Sequence, residues 1–424
     1  MKKYNILVFP CGSEIALEIH RSLKYSTHFD LIGGNSVDDH GKFIYDDYIG
    51  DIPFITSDDF ISRIKEVVKA RGIDAIYPAT DAVITKLKNS ESEIGCRVIS
   101  SCSETVNICS SKSKTYEILK SVIKVPRIYS DVEIKEFPVF GKPDVGYGSR
   151  GTKLLLNQEM LEGYTLEYPK SLLCEYLSGD EYTVDCFTDR FGALRYFAPR
   201  VRNRIMNGIS VNTMPAKYKD EFSNLVQEIN KQIKFQGAWF VQFKRNSEGE
   251  LYLLEIAARL GGSSSLFRNI GVNFAMLSLF DAFDIDVDIL TNKYDIVLDR
   301  ALDNVYKIDI EYNEVFVDFD DCIIVNNSVN EEIMSYFYYC INNKIKITLL
   351  TRHKDEIIDS IEKYRMTNIF DRVIHVKDKS KKSNFIDNLN SIFIDDSFAE
   401  RKDVSTKLQI PVFSPDMVAS LFKY

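Results

Sequence analysis

The sequence predicts a multidomain protein of the α/β and α+β classes, and three observations carry that reading. Through residues 1–110 short apolar strands alternate with helical patterns, the signature of a parallel sheet. From Val139 to Ala257 the chain reads instead as hairpins, with strands joined by Gly-containing turns. Beyond a polar stretch near residue 300 the strand–helix alternation begins again. The expected organisation is therefore 1–110, a parallel α/β domain; 111–295, a mixed domain; 296–312, a linker; and 313–424, a second parallel α/β domain.

At 45% hydrophobic and 27% charged, the 424 residues have the composition of a globular protein with room for several cores. A net charge of −9 argues against a nucleic-acid partner. No apolar run approaches the roughly 20 residues that span a bilayer, so no membrane partner is expected. Eight cysteines without a CxxC pair read as free thiols in a reducing cytoplasm and argue against zinc.

Residues 4–9, YNILVF, form the first buried strand and lead through Pro10-Cys11-Gly12-Ser13 into a helical pattern. That turn lacks the GxGxxG of a dinucleotide site. The strands FDLIGGNS, IDAIYPATD and CRVISS follow with helices between them, and sheets of this kind bind ligands at the strands' C-terminal ends. Asp38-Asp39-His40 reads as a solvated loop, with the rim of a substrate pocket as the alternative.

The second domain carries a succession of chemical features. A helix opens after Ser110 and bears Lys112 and Lys114. The strand PVFGKP delivers Lys142 into Gly146-Tyr147-Gly148-Ser149-Arg150-Gly151, where glycines let backbone N–H groups approach an anion and Lys142 and Arg150 add charge. This loop lies between two strands, so it is not a Walker loop, and an ordinary β-turn reads similarly in isolation. LLCEYL and EYTVDCF place Glu175, Tyr176, Leu177 and Glu181 around a hinge suited to an adenine edge and ribose hydroxyls. In the hairpin formed by WFVQFKR and ELYLLEIA, Gln242 lies across from Glu255, and Arg259 follows. Alternation puts Glu255 on the face of Leu251 and Leu253, where an apolar residue is expected. A carboxylate, an amide and a guanidinium together suit Mg²⁺ and phosphate oxygens; a structural Glu255–Arg259 ion pair is the alternative. Arg200, Arg202 and Arg204 offer either a grip on a substrate anion or a solvated basic strand.

In this order the features resemble the ATP-grasp superfamily over about residues 1–290, with similarity to carboxylate–amine ligases and the carbamoyl-phosphate synthase large subunit. The resemblance implies ATP and Mg²⁺ as cofactors and a pre-ATP-grasp domain ahead of the ATP-grasp domain. It implies that Lys112 and Lys142 bind phosphates, Lys114 competing with Lys112, under a lid that includes Gly146, Gly148, Ser149 and Gly151. Glu175, Tyr176 and Leu177 would flank adenine, Glu181 the ribose, and Glu255 with Gln242 the metal. Arg259 would stabilise the transferred phosphoryl group. Many members carry Glu-x-Asn-Pro-Arg where this chain has Glu255-Ile256-Ala257-Ala258-Arg259, and Ala257 cannot ligate a second metal.

The last domain gathers acids at strand ends. VFVDFDDCIIV places Asp318 and Asp320 just past a strand, KITLLTRH ends in Thr351, DKSKKSNFI offers Lys382 at a helix start with Lys381 as competitor, and SIFIDDSFAE ends a strand in Asp395-Asp396. Such a cluster repels itself unless a divalent cation joins it. The set resembles the haloacid dehalogenase phosphatases over about residues 313–424, with Cys322 where Thr or Val is usual. It implies a Rossmann-like domain without a large cap, Asp318 as nucleophile, Asp320 as proton donor, and Thr351 and Lys382 on the phosphoryl oxygens. Mg²⁺ would be held among Asp318, Asp320, Asp395 and Asp396.

The function expected is a ligase joining a small-molecule carboxylate to an amine, fused to a phosphatase acting on a phosphorylated metabolite, with a homodimer as one way to shield the open site. The alternatives are a small-molecule kinase, or a nucleotide-binding module that regulates the phosphatase.

Overall fold

The chain folds into two compact units, Met1–Leu302 and Asp303–Tyr424. The computed structural model describes residues 3–130, 134, 136–146, 148, 150–306 and 308–422.

The first unit opens with a parallel sheet in the order Tyr48–Ile49, Phe29–Gly34, Tyr4–Phe9, Ala75–Pro78, Arg97–Val98. Its central strand buries Ile6 and Val8 on one face and Leu7 and Phe9 on the other, as a sheet covered by helices on both sides requires. Helix Glu14–Leu23 covers the first face and starts where the Ser13 hydroxyl accepts from the Ala16 N–H at 3.2 Å. Helix Phe60–Arg71 covers the second. Asp38-Asp39-His40 is a self-bonded loop: Asp38 pairs with Lys42 at 2.6 Å, and Asp39 accepts from the Gly41 N–H at 2.9 Å. Asp39 also lies so close over Gly12 that a Cβ there would sit 2.0 Å from its carboxylate and force that side chain to move.

Two antiparallel sheets follow. The smaller runs Ile128–Tyr129, Ser171–Glu175, Val139–Pro143, Lys153–Leu155. The larger runs Leu251–Ala257, Gly237–Arg245, Glu181–Thr188, Leu194–Met206, Ile209–Pro215, Leu298–Asp299. One face of the larger sheet buries Val184, Cys186, Trp239, Val241, Phe243 and Leu253 against helix Asp220–Gln232.

The last strand corrects the expected linker. Leu298 and Asp299 pair with Thr213 and Asn212, and Ile296 and Leu298 pack on the core of the parallel sheet, so residues 296–302 belong to the first unit. A two-residue edge strand is too short to show periodicity, which is why it reads as linker. Nor does the unit break at 110, because one core contains both Ala16 and Phe267.

The second unit is built on a parallel sheet in the order Arg372–His375, Lys346–Thr351, Glu314–Val317, Ser391–Ile394, Val412–Phe413. Between Asp318 and Thr351 there is only the hairpin Ile324–Val325/Ser328–Val329 and helix Glu331–Asn342; between Thr351 and Lys382, only helix Ile357–Lys363 and strand Arg372–His375. No cap domain is inserted there. Among the described residues no helix is long and apolar enough to cross a membrane. All eight cysteines are free thiols.

Candidate active sites

A cleft in the first unit is lined from both antiparallel sheets. Asp144 steadies the start of helix Lys112–Leu119 by accepting from the Ser111 hydroxyl at 2.8 Å and the Ser113 N–H at 2.7 Å. This sets the Lys112 side chain in the cleft, its Nζ 3.3 Å from the Gly146 carbonyl and 4.0 Å from Glu255, while Lys114 is exposed. Lys142 is 5% exposed and donates to the Tyr116 hydroxyl at 2.6 Å, which donates to the Leu254 carbonyl at 2.6 Å. Burial pulls the Lys142 pKa below the ordinary lysine value. A desolvated ammonium gains strongly from an incoming anion.

Glu255 enters the cleft because of a β-bulge. Gln242 pairs with Glu255 and Phe243 with Leu253, so Leu254 is an extra residue in its strand. Gln242 and Phe243 face opposite sides of the sheet. The bulge thus turns Glu255 off the core face of Leu253 and into the cleft beside Gln242, which corrects the unbroken alternation expected from the sequence.

Glu175, Tyr176, Leu177 and Glu181 line the same cleft, as do Gly146 and Gly148. Gly148 has φ of 62°, a conformation that a side chain resists. Gly151 lies outside the lining, and Ser149 lies outside the described residues. The three arginines part company. Arg200 is buried against Asp185 at 2.6 Å, Arg204 pairs with Asp299 at 2.8 Å, and only Arg202 reaches the cleft. There Arg202 meets Glu181 at 2.6 Å and donates to Gln242 Oε1 at 2.8 Å. Lys244 also lines the cleft, 3.9 Å from Glu181. Sequence reasoning missed it, although two-residue alternation from Gln242 marks it. Arg259 lies elsewhere, neither in the cleft nor paired with Glu255. It forms a bidentate pair with Asp81 at 2.7 and 2.7 Å and sits 5.2 Å over the Phe240 ring.

The donor set fits a magnesium nucleotide: cations for phosphates, Gln242 and Glu255 oxygens for a hard cation, and the apolar side chains of Phe140, Leu177 and Leu254 for a base. Biotin carboxylase from Campylobacter jejuni, solved with β-γ-ATP, is similar at a TM-score of 0.59 and 18% identity, covering 69% of this chain and 74% of that one. The biotin carboxylase domain of the Hydrogenobacter thermophilus 2-oxoglutarate carboxylase, solved with MgADP, gives 0.58 and 18% over 68% and 71%. Only the first unit is large enough to supply those shares. Residues 167–298 match a family model described as ATP-grasp in the biosynthetic pathway with Ter operon. The first unit has the ATP-grasp fold. The chain also resembles the D-alanine–D-alanine ligase of Fusobacterium nucleatum subsp. nucleatum, 31% identical over 162 residues. That match takes in 35% of this chain and 56% of the ligase, so the chain spans about half the length of this curated relative.

Outside the ATP-grasp unit a second polar site lies at the sheet rim of residues 303–424. Asp318 and Lys382 are buried, Asp395 fully so. Lys382 Nζ lies 2.8 Å from Asp318 Oδ1 and donates to Asp395 Oδ2 at 2.7 Å. Burial lowers the Lys382 pKa, but Asp318 and Asp395 outweigh it and hold the ammonium above its usual value. Burial raises Asp395 to about 6, with Asp318 adding to the rise and Lys382 opposing it. Asp396 is raised by burial and by Asp318. Oxygens of Asp318, Asp395 and Asp396 come within 4.8 Å of one another, and three carboxylates so close suit a divalent cation. Lys381 is exposed, and Lys382 begins a 3₁₀ turn rather than an α-helix. Thr351 is buried at its strand end. The Asp320 carboxylate is not in the acid cluster. It turns to His353, whose Nδ1 is 2.9 Å from Oδ1, which corrects its expected place among the metal-ligating carboxylates.

Proposed function

We propose that the chain is a bifunctional enzyme. Its ATP-grasp unit is an ADP-forming ligase that activates a carboxylate as an acyl phosphate for attack by an amine. Its second unit is a Mg²⁺-dependent phosphatase of the haloacid dehalogenase type, acting on a phosphorylated metabolite. The observation that carries the first half is the convergence of Lys112, Lys142, Gln242 and Glu255 on one cleft from separate elements. Bound Mg-ATP would supply the phosphoryl group and the cation that neutralises it. Glu255 with Gln242 would hold the cation, Lys112 and Lys142 the phosphate oxygens, Glu175, Tyr176 and Leu177 the adenine edge, and Glu181 the ribose. Arg259, committed to Asp81, is not assigned to the phosphates.

In the second unit Asp318 attacks phosphorus, the ester P–O bond breaks, and the leaving oxygen takes a proton from Asp320. Water then attacks the aspartyl phosphate and returns a proton to Asp320. Thr351 and Lys382 hold phosphoryl oxygens, and Asp318, Asp395 and Asp396 would hold Mg²⁺, which supplies charge neutralisation.

The test is ADP release from Mg-ATP by Asp318→Asn protein given pooled carboxylic acids, with and without pooled amines. ADP that requires both pools supports the ligase; ADP with acids alone points to a kinase or a leaking acyl phosphate; no ADP in any pool, while ATP still shifts Trp239 fluorescence, favours the regulatory module or a substrate outside the pools. Glu255→Ala is expected to abolish ADP formation and leave phosphate-ester hydrolysis intact, and Asp318→Asn to do the reverse.

A further inference from the structure

Resting on the phosphatase reading, we propose that His353 is a positioning residue for Asp320, holding its carboxyl group on the leaving oxygen of the phosphate ester. Asp320 needs such a partner. Its side chain is 52% exposed in a site with no cap over it, and an unrestrained carboxyl there would spread over several rotamers. Among the described residues the side chain bonded to it is His353, whose Nδ1 lies 2.9 Å from Oδ1 and 3.0 Å from Oδ2.

The imidazole and the backbone that carries it are themselves held. Its Nε2 is 2.8 Å from the Ser360 hydroxyl, and its backbone N–H donates to Thr351 Oγ1 at 3.2 Å. Its carbonyl accepts from His375 Nε2 at 2.7 Å, and its ring packs edge-on against Phe319 at 4.9 Å. The strand end that brings Thr351 to the site therefore brings this ring as well.

The bond has a defined direction. When Asp320 is ionised its carboxylate can only accept, so Nδ1–H donates to it, and Nε2 faces the Ser360 hydroxyl. Because both carboxyl oxygens lie about equally far from Nδ1, one can keep the imidazole bond while the other presents its O–H to the ester. As the P–O bond breaks, the proton passes from Asp320 to the leaving oxygen. The Asp320 carboxylate so formed accepts the Nδ1–H as a stronger, charge-assisted bond. The benefit belongs to the protonation step alone, and it grows with the basicity of the leaving group.

The test uses the full chain with Mg²⁺ and a graded series of aryl phosphates: p-nitrophenyl, phenyl and p-methoxyphenyl phosphate. The wild type is expected to show kcat values that depend weakly on the leaving phenol. His353→Ala is expected to lower kcat at least about tenfold for the two basic leaving groups, at unchanged KM, and to leave p-nitrophenyl phosphate within about threefold. His353→Asn, whose amide N–H falls near the Nδ1 position, is expected to recover much of the loss, and His353→Gln is not. Equal losses on all three esters, no loss on any, or a wild type that already depends steeply on the leaving phenol would overturn the proposal. A wild type inactive on all three would overturn the phosphatase reading beneath it, and the two failures are told apart by the wild-type rate on p-nitrophenyl phosphate.

Discussion

Arg259 and Asp81 offer a direct test of how the first unit is held together. Asp81 begins helix Asp81–Asn89 beside the parallel sheet, Arg259 follows the antiparallel strand Leu251–Ala257, and two 2.7 Å bonds join them. Asp81→Ala leaves a guanidinium that is only 14% exposed without its carboxylate. Removing one partner of a buried pair costs roughly 3–5 kcal/mol, and the 34% exposure of Asp81 puts this pair at the low end. Loss of a negative charge from a helix's first turn adds about 0.5 kcal/mol. The expected total is about 3 kcal/mol for Asp81→Ala, and roughly 1–2 kcal/mol for Asp81→Asn, which keeps one acceptor. Trp239 is the chain's one tryptophan, 1% exposed and stacked on Phe235 at 3.9 Å, so its fluorescence in urea follows the first unit alone. A double-mutant cycle with Arg259→Ala should give a coupling of about 2 kcal/mol. An Asp81→Ala cost under about 0.5 kcal/mol, or an additive cycle, would refute the claim that this pair ties the two parts of the unit together.

Four further outcomes are expected. Gly261→Ala would place a Cβ 2.9 Å from Asp185 Oδ1 and 3.1 Å from Arg200 Nη2, and the forced shift of a buried ion pair should cost about 1–3 kcal/mol in the same urea assay. Lys382→Met leaves Asp318 and Asp395 facing each other without their cation and should destabilise the second unit by about 3–5 kcal/mol at neutral pH, read by hydrogen exchange of strand Lys346–Thr351 in EDTA. Because the folded pKa of Asp395 is raised to about 6, its folded state binds more protons than the unfolded chain, so stability falls as pH rises from about 4 through 6, and more steeply in Lys382→Met. His20 has the opposite sense. Burial and then Lys24 lower it to about 4, so its contribution is full above pH 6.5 and is lost as pH falls toward 4; a flat Trp239 urea midpoint from pH 7 to 5 in His20→Gln, against a falling one in wild type, checks this.

The sequence by itself determined the two parallel sheets, the glycine loop between strands, and the hairpin that sets Gln242 opposite Glu255, because periodicity and turn chemistry are written in neighbouring residues. It also put Lys112, Lys142 and the residues Glu175, Tyr176, Leu177 and Glu181 in order along the chain, and the fold collects them in one cleft. Other features depend on packing. One extra residue at Leu254 reverses the side to which Glu255 points, and strand alternation read from composition cannot register such an insertion. Arg259 finds a carboxylate 178 positions earlier, and Asp320 meets an imidazole 33 positions later. Leu298–Asp299 is a strand only because the edge of a sheet is there to receive it. In each case the partner is chosen by how elements pack in space, so tertiary structure alone decided which arginine faces the cleft and which carboxyl leaves the acid cluster.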